Sequence, residues 1–292
     1  MKDLKKYIFE NTVVNFGKAN SVYGECIILA GGGGSGKGFI KNKIDASFRT
    51  YDVDDLKLKY VKMLQQGKIK DKLRDFDFSN PDDVTELHMR VKEKGWKDKQ
   101  IKYIFRNKYN TEKEANNSKL LPNILFDRVS SKIDDITEIA LRAKTLGYNV
   151  TVVWVLCNLE TAKVNNRVRK RYIDEKTVLI PAHKECYRTM TTLFGNGYKE
   201  FNDFIDNAWL GYSAGFGRKL SGKYEKSPIV KIKKDEDGNF IFDKEKLVDE
   251  FLEKQQPYDM KELKDNIKYR RRTKETKKFC EIENIDIEKE AI

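Results

Sequence analysis

The stretch ECIILAGGGGSGKGFIKNKI, residues 25–44, decides how the rest of the chain is read. Its opening, ECIILA (25–30), is a short apolar run of the kind a strand shows when both of its faces are buried in a parallel sheet. Four consecutive glycines follow at once, Gly31 to Gly34. Beyond them Phe39, Ile40, Ile44 and Phe48 recur at helical spacing. The order is strand, glycine loop, helix. Gly31 and Gly36-Lys37 carry the G-x-x-x-x-G-K spacing of a loop built to hold phosphate. Glycines let backbone N–H groups converge on phosphate oxygens, the helix start adds its dipole, and a lysine reaches the outer phosphates. The residues expected to hold a nucleotide are therefore Gly31, Gly32, Gly33, Gly34, Ser35, Gly36, Lys37, Gly38 and Phe39.

Gly38 departs from the usual pattern. A Ser or Thr at this place normally puts its hydroxyl on Mg²⁺. The run GGGGSGKG (31–38) resembles the loop of adenylate kinases and related nucleoside monophosphate kinases, in which a glycine commonly follows the lysine. In that group a Thr comes next, whereas here it is Phe39. Both customary hydroxyl ligands are missing, so carboxylates and water would have to hold Mg²⁺, a role that suits them.

Composition bounds the partners. The 292 residues suffice for one large α/β domain or two smaller ones. Charged residues make up 36% of the chain against an average of about 25%. Lysine and arginine outnumber acids 58 to 46, a net charge of +12 that favours polyanions such as nucleotides or nucleic acids. No stretch approaches the roughly 18 apolar residues of a membrane helix, and MKDLKKYIFENTV lacks the apolar core of a signal peptide. Cys26, Cys157, Cys186 and Cys280 are scattered without metal or redox spacing and read as reduced thiols of a cytoplasmic protein. With only His88 and His183 in the chain, neither zinc chemistry nor a Ser-His-Asp triad is expected.

The elements alternate. TYDVDDLKLKYVKMLQQG (50–67) reads as a short strand ending at acids, then a helix. Residues 68–118 are polar, with helical spacing over 84–91 and 101–109, and read as a helical insertion. SNPDD (79–83) opens a helix there, capped by Ser79 or Asn80 with Pro81 in the first turn. PNILFDRV (122–129) is a buried strand, DDITEIALRAKTLG (134–147) an amphipathic helix stopped by Gly147, and YNVTVVWVLCN (148–158) a further core strand. An arginine-dense helix is expected over 159–176. Residues 227–254 read as a hairpin turning at Asp237-Gly238 and then a helix. The expected fold class is α/β: a parallel sheet flanked by helices, of the phosphate-loop kinase kind, with a helical insertion and a small hairpin–helix extension. The corresponding division is 1–226, 227–257, and a charged tail over 258–292.

Asp52, Asp54 and Asp55 fall at a strand end one βα unit after the loop, where ligand groups gather in a parallel sheet. A carboxylate there accepts the proton of an attacking hydroxyl. Three acids also make a good helix cap and first turn. If the strand stops at Asp52, Asp55 becomes the rival of Asp54 for the cleft. Asp127 ends the next strand. Arg167 and Arg171 are four apart on one helix face, where planar guanidinium groups neutralise a transferring phosphoryl group.

Here the chain resembles the zeta-toxin-like kinases, a branch of phosphate-loop kinases found in bacteria and phages. Their Asp-x-Asp-x-aliphatic-Arg/Lys pattern is matched by Asp52, Asp54, Leu56 and Lys57, their next strand acid by Asp127, their GY-x-V by GYNVTVVWV, and their arginine helix by NNRVRKR. The resemblance covers about residues 25–190. It implies Asp54 as general base, Asp127 with Asp52 toward Mg²⁺, and Lys37, Arg167 and Arg171 on the phosphates. The implied activity is transfer of the γ-phosphoryl of ATP or GTP to a hydroxyl of a small nucleotide, nucleoside or nucleotide sugar. A polynucleotide 5′-hydroxyl kinase, with the basic insertion and tail on a nucleic acid backbone, is the alternative. A nucleotide-binding protein without phosphotransfer is another, supported by the missing hydroxyl after Lys37.

Overall fold

The apolar run at 25–30 becomes β1 (Glu25–Ala30), and all of its residues are buried. Cys26, Ile28 and Ala30 enter one core layer, while Ile27 and Leu29 enter another. Burial on both faces is why the segment shows no polar alternation. The computed structural model describes residues 24–41, 48–71, 75–78, 80–105, 121–168, 172–195, 198, 201–212, 229–249 and 252.

After β1 come α1 (Lys37–Lys41), β2 (Arg49–Asp52), α2 (Val53–Gln65), α3 (Pro81–Glu93), α4 (Trp96–Phe105) and β3 (Ile124–Arg128). They are followed by α5 (Ile133–Thr145), β4 (Asn149–Leu156), α6 (Leu159–Val168), α7 (Ile180–Phe194), β5 (Asn207–Tyr212) and β6 (Ile229–Ile232). The strands form one sheet in the order β2-β3-β1-β4-β5-β6. Every pairing is parallel except β5 with β6. The protein is thus α/β, with a mostly parallel six-stranded sheet flanked by helices. Chain order reverses at β1, whose neighbours are the later strands β3 and β4. A crevice opens at the carboxyl ends of the strands at such a reversal, and the glycine loop leaves β1 there.

The larger core layer packs Leu56 and Tyr60 of α2, Leu87 of α3, Ile136 and Ala140 of α5 and Met190 of α7 on the sheet. The smaller one seats Ile40 of α1 on Ile27, Leu29, Leu125, Val153 and Val155. A Cβ at Gly211 of β5 would lie 2.5 Å from Ile40 Cδ1, so the missing side chain is what lets α1 lie flat.

Several local expectations hold and several change. The Asn80 side chain caps α3 at the Asp82 N–H with Pro81 in the first turn; Ser79 and residues 106–118 of the expected insertion lie outside the described residues. The helix expected over 159–176 stops at Val168. Asn166 explains the break. Its amide donates to Ile173 O at 2.8 Å and its carbonyl accepts from Ile173 N at 3.1 Å, which turns the chain back on itself. Asp174 then caps a new turn, Glu175–Leu179, leading into α7. Arg169 and Arg171 fall outside the described residues. The expected hairpin turns at Gly238, with φ of 81°, but its return arm is the single bridge Lys234–Phe240 while its outgoing arm is β6. The segment after it packs inward: Val248 is fully buried and Tyr212 Oη donates to Leu247 O at 2.6 Å. The tail over 258–292 lies outside the described residues. Cys26, Cys157 and Cys186 are free and buried. Among the described residues no helix is long and apolar enough to cross a membrane.

Candidate active site

The loop's glycines are used for space as well as for torsion. Gly34 and Gly36 have φ of 75° and 94°, in the left-handed region. A Cβ at Gly34 would lie 2.4 Å from Ala162 O. One at Gly32 would lie 2.3 Å from the His183 imidazole. These contacts come from α6 and α7, and both helices also hold the loop. Asn165 Nδ2 donates to Gly34 O at 2.7 Å. His183 Nε2 donates to Gly33 O at 2.6 Å, a bond that needs a proton on Nε2. The bonds consume carbonyls and leave the amides of Gly33, Gly34 and Gly36 for a ligand. Sequence reasoning assigned His183 no role; it stands on α7 as a brace of the loop.

Lys37 opens α1. Its ammonium donates to Gly31 O at 2.5 Å and Gly32 O at 3.1 Å and stands 3.9 Å from Asp127 Oδ1. Gly38, the departure from the usual pattern, is not forced by crowding: a Cβ there meets nothing within 4 Å. Phe39 is exposed, with its N–H on Gly36 O at 2.9 Å.

β2 and β3 bring the acids to the loop. Their register sets Asp52 opposite Asp127, and Asp127 in turn is opposite Leu29 of β1. Burial raises the Asp127 pKa, with Lys37 pulling the other way. Asp52 is more occupied. One oxygen accepts the Asp54 N–H at 2.9 Å as the cap of α2, and the other accepts Lys41 Nζ at 3.1 Å. The Lys41 pKa is raised on balance: burial lowers it, but the carboxylate of Asp52 outweighs that. The strand does stop at Asp52. Even so, Asp54 faces the cleft in front of the loop and Asp55 is not among the residues lining it.

That cleft has a volume of about 640 Å³. The loop lines it together with Asp52 and Asp127, and so do Asp54, Lys57, His88, Lys97 and Arg128. Asp54 accepts from Lys57 Nζ at 3.3 Å. His88 and Lys97 belong to α3 and α4, so these helices line the cleft too. Arg167 does not line it. Its guanidinium is held by Glu175, with Nε on Oε1 at 2.6 Å and Nη2 on Oε2 at 2.9 Å.

As to a metal, the described residues contain no group of three or more His, Cys, Asp or Glu placed to hold one. Mg²⁺ does not need such a cage. It is ordinarily held by one or two carboxylates together with phosphate and water. Asp127, a partly buried carboxylate beside Lys37, fits that donor set, and Asp52 fits it only by sharing its oxygens with Lys41 and the helix cap.

No family model matches the chain. No curated protein matches it either. Solved structures do. A chain of the PezAT chromosomal toxin–antitoxin system of Streptococcus pneumoniae is similar at 12% identity over 89% of this chain and 91% of that one, with a TM-score of 0.45. The AvrRxo1-ORF1:AvrRxo1-ORF2 structure with sulphate ions is similar at 14% identity over 94% and 81%, TM-score 0.45. The AvrRxo1-ORF1:-ORF2 structure with ATP is similar at 15% identity over 94% and 81%, TM-score 0.44.

Proposed function

We propose that this protein is a phosphate-loop kinase, transferring the γ-phosphoryl of ATP or GTP to a hydroxyl of a small nucleotide, nucleoside or nucleotide-sugar acceptor. One observation carries the reading. Lys37 stands at the end of the braced glycine loop with Asp127 3.9 Å away, and Asp54 lines the same cleft. The loop supplies amides and Lys37 a point charge for the β- and γ-phosphates. Asp54 is the proton acceptor for the attacking hydroxyl, released from Lys57 or sharing it with the acceptor. Asp127, with Asp52 behind it, would hold Mg²⁺ through carboxylate oxygen. Bound there, the ion neutralises charge on the phosphate oxygens. Arg167 enters the proposal on a condition. Neutralising the transferring group requires it to exchange Glu175 for phosphate, with Arg171 as the second cation of the same segment.

The test is incubation with γ-labelled ATP or GTP, first alone and then with nucleosides, nucleotides, nucleotide sugars and 5′-hydroxyl oligonucleotides. Label on a small acceptor, dependent on Lys37 and Asp54, is the expected result. Nucleotide binding with no transfer to any acceptor would reject the kinase reading, and label on oligonucleotides alone would replace the acceptor class.

A further inference from the structure

We infer that Lys41 is a built-in cation behind the phosphate cleft. It keeps Asp52 out of metal coordination and leaves Asp127 as the carboxylate of the pair that a divalent ion reaches. The inference deepens the kinase reading above and rests on it for the ion's part in turnover, while the pairing itself is tested without turnover.

Lys41 lies four residues beyond Lys37, so the two share one face of α1. β2 and β3 set Asp52 and Asp127 side by side in register. Two ammonium groups thus meet two carboxylates, but the two pairs are not alike. Lys41 Nζ donates to Asp52 Oδ2 at 3.1 Å, a full hydrogen bond. Lys37 Nζ stands 3.9 Å from Asp127 Oδ1, beyond hydrogen-bonding range, and gives its protons to Gly31 O and Gly32 O. Both Asp52 oxygens already face a positive donor, since Oδ1 accepts the Asp54 N–H at 2.9 Å as the cap of α2. An ion seated on Asp52 would meet the cap at one oxygen and an ammonium at the other. Asp52 and Asp127 line the cleft and Lys41 does not, so Lys41 reaches Asp52 from outside and need not move when the cleft fills. Its side chain is 27% exposed and that of Asp52 19%, which shields the pair from solvent. Asp127 and Asp55 add to the negative field that holds the ammonium charged despite its burial.

The loop chemistry gives this cation a use. Gly38 and Phe39 bring no hydroxyl to the place where a phosphate loop usually ties down its metal. One turn on from Lys37, α1 brings an ammonium instead. Asp52 and Asp127 feel one another as like charges. With Asp52 neutralised by a tethered ammonium, the donors left for a divalent ion are Asp127, phosphate and water, a set that suits Mg²⁺. Without Lys41, Asp52 Oδ2 would join Asp127 as a second carboxylate ligand, and the cleft would take a divalent ion ahead of any nucleotide.

Mn²⁺, which shares the oxygen ligands of Mg²⁺, reads the pairing in the nucleotide-free full chain. Its Kd is followed by the paramagnetic resonance signal of the free ion. Lys41→Met, which keeps the apolar stem and removes the charge, should tighten that Kd by about tenfold or more, the effect of one added carboxylate ligand. The gain should persist in about 0.5 M KCl, where charges more than a few ångströms apart are screened. Lys41→Arg should leave the Kd near that of wild type, because a guanidinium still occupies Asp52. The double variant Lys41→Met with Asp52→Asn, in which the amide oxygen can still cap α2, should return it to within about threefold of wild type. Thermal melts check folding, and Lys41→Gln takes the place of Lys41→Met if the latter does not melt cooperatively. No gain in Lys41→Met, a gain lost in salt, or a gain kept in the double variant would each overturn the inference and leave the kinase reading intact. A chain that transfers phosphoryl to no acceptor refutes the kinase reading, and the Mn²⁺ titration then decides the part of Lys41 by itself.

Discussion

The brace of the loop by His183 allows a prediction with a worked magnitude. In Gly32→Ala the new Cβ lies 2.3 Å from His183 Cδ2 and Nε2, whereas ordinary contact starts at 3.4 Å. The ring must retreat by 3.4 − 2.3, about 1.1 Å. A retreat along the line of its hydrogen bond stretches 2.6 Å to about 3.7 Å, beyond bonding range. Overpacking of this kind costs roughly 1–3 kcal/mol, and the lost bond about 1 kcal/mol more. His183→Ala loses the bond but leaves a vacant place for the new methyl group. Gly32→Ala should therefore cost little in the His183→Ala background. The expected coupling in the double-mutant cycle is about 2–4 kcal/mol, the whole cost of Gly32→Ala when His183 is present. Urea melts of the four proteins measure it in stability. ATP titration measures it again as a Kd that rises tenfold or more in Gly32→Ala and no further in the double variant than in His183→Ala. Additivity within about 0.5 kcal/mol would refute the seating of His183 on the loop.

Lys37→Ala should abolish ATP binding measured by calorimetry while the thermal melt stays cooperative, since its partners are loop carbonyls and Asp127 and not core groups; an unchanged Kd would sink the phosphate-loop reading. Asp54→Asn should lower single-turnover transfer by about 10²–10⁴ with ATP Kd within a few-fold, because the amide keeps the shape but takes no proton. Asp55→Asn, outside the cleft lining, should transfer normally, and the reverse pattern would move the base to Asp55. Gly38→Ala should stabilise the protein by about 0.5–1 kcal/mol in urea melts, since helical Gly38 has empty space where a Cβ goes. Gly38→Ser should in addition lower the Mg²⁺ concentration for half-maximal turnover; no change there would mean that the hydroxyl is not missed.

The half of the site legible in the sequence is the half built from contiguous residues. Strand, loop and helix at 25–41 follow one another without a gap, so their spacing alone carries the geometry. Asp52 ends β2 and Asp127 is the last residue but one of β3, and strand ends are visible as the points where apolar runs meet acids. What braces and faces the loop is legible to neither rule. His183 reaches Gly33 across 150 residues and Asn165 reaches Gly34 across 131, distances over which no local pattern operates. β5 went unseen because NAWLGY mixes Asn, Gly and aromatics without a period. Its place is fixed from outside, by Asp206 accepting the Val150 N–H at 2.7 Å and by Gly211 making room for Ile40. The overlong helix at 159–176 is a failure of a different sort. Arginine and lysine favour helix locally, and the Asn166–Ile173 clamp overrides that preference with two bonds the sequence does not announce.

The cations that the proposal assigns to phosphate do not start from the same condition. Lys37 rests on the neutral carbonyls of Gly31 and Gly32, partners that a phosphate outcompetes because charge-assisted bonds are about twice as strong as neutral ones. Arg167 rests on a carboxylate, bidentate and largely shielded from solvent, with 17% of its own side chain and 15% of the Glu175 side chain exposed. A phosphate must exceed that pairing before the guanidinium leaves it. Lys37 is thus ready for the nucleotide's ground state, whereas Arg167 gains by moving only where charge on the transferring group is greater or better placed than on Glu175. A group that binds more strongly to the transition state than to the ground state raises the rate and not merely the affinity. On the proposed kinase reading, the ion pair with Glu175 accordingly assigns Arg167 to turnover and leaves ground-state binding to Lys37 and the loop.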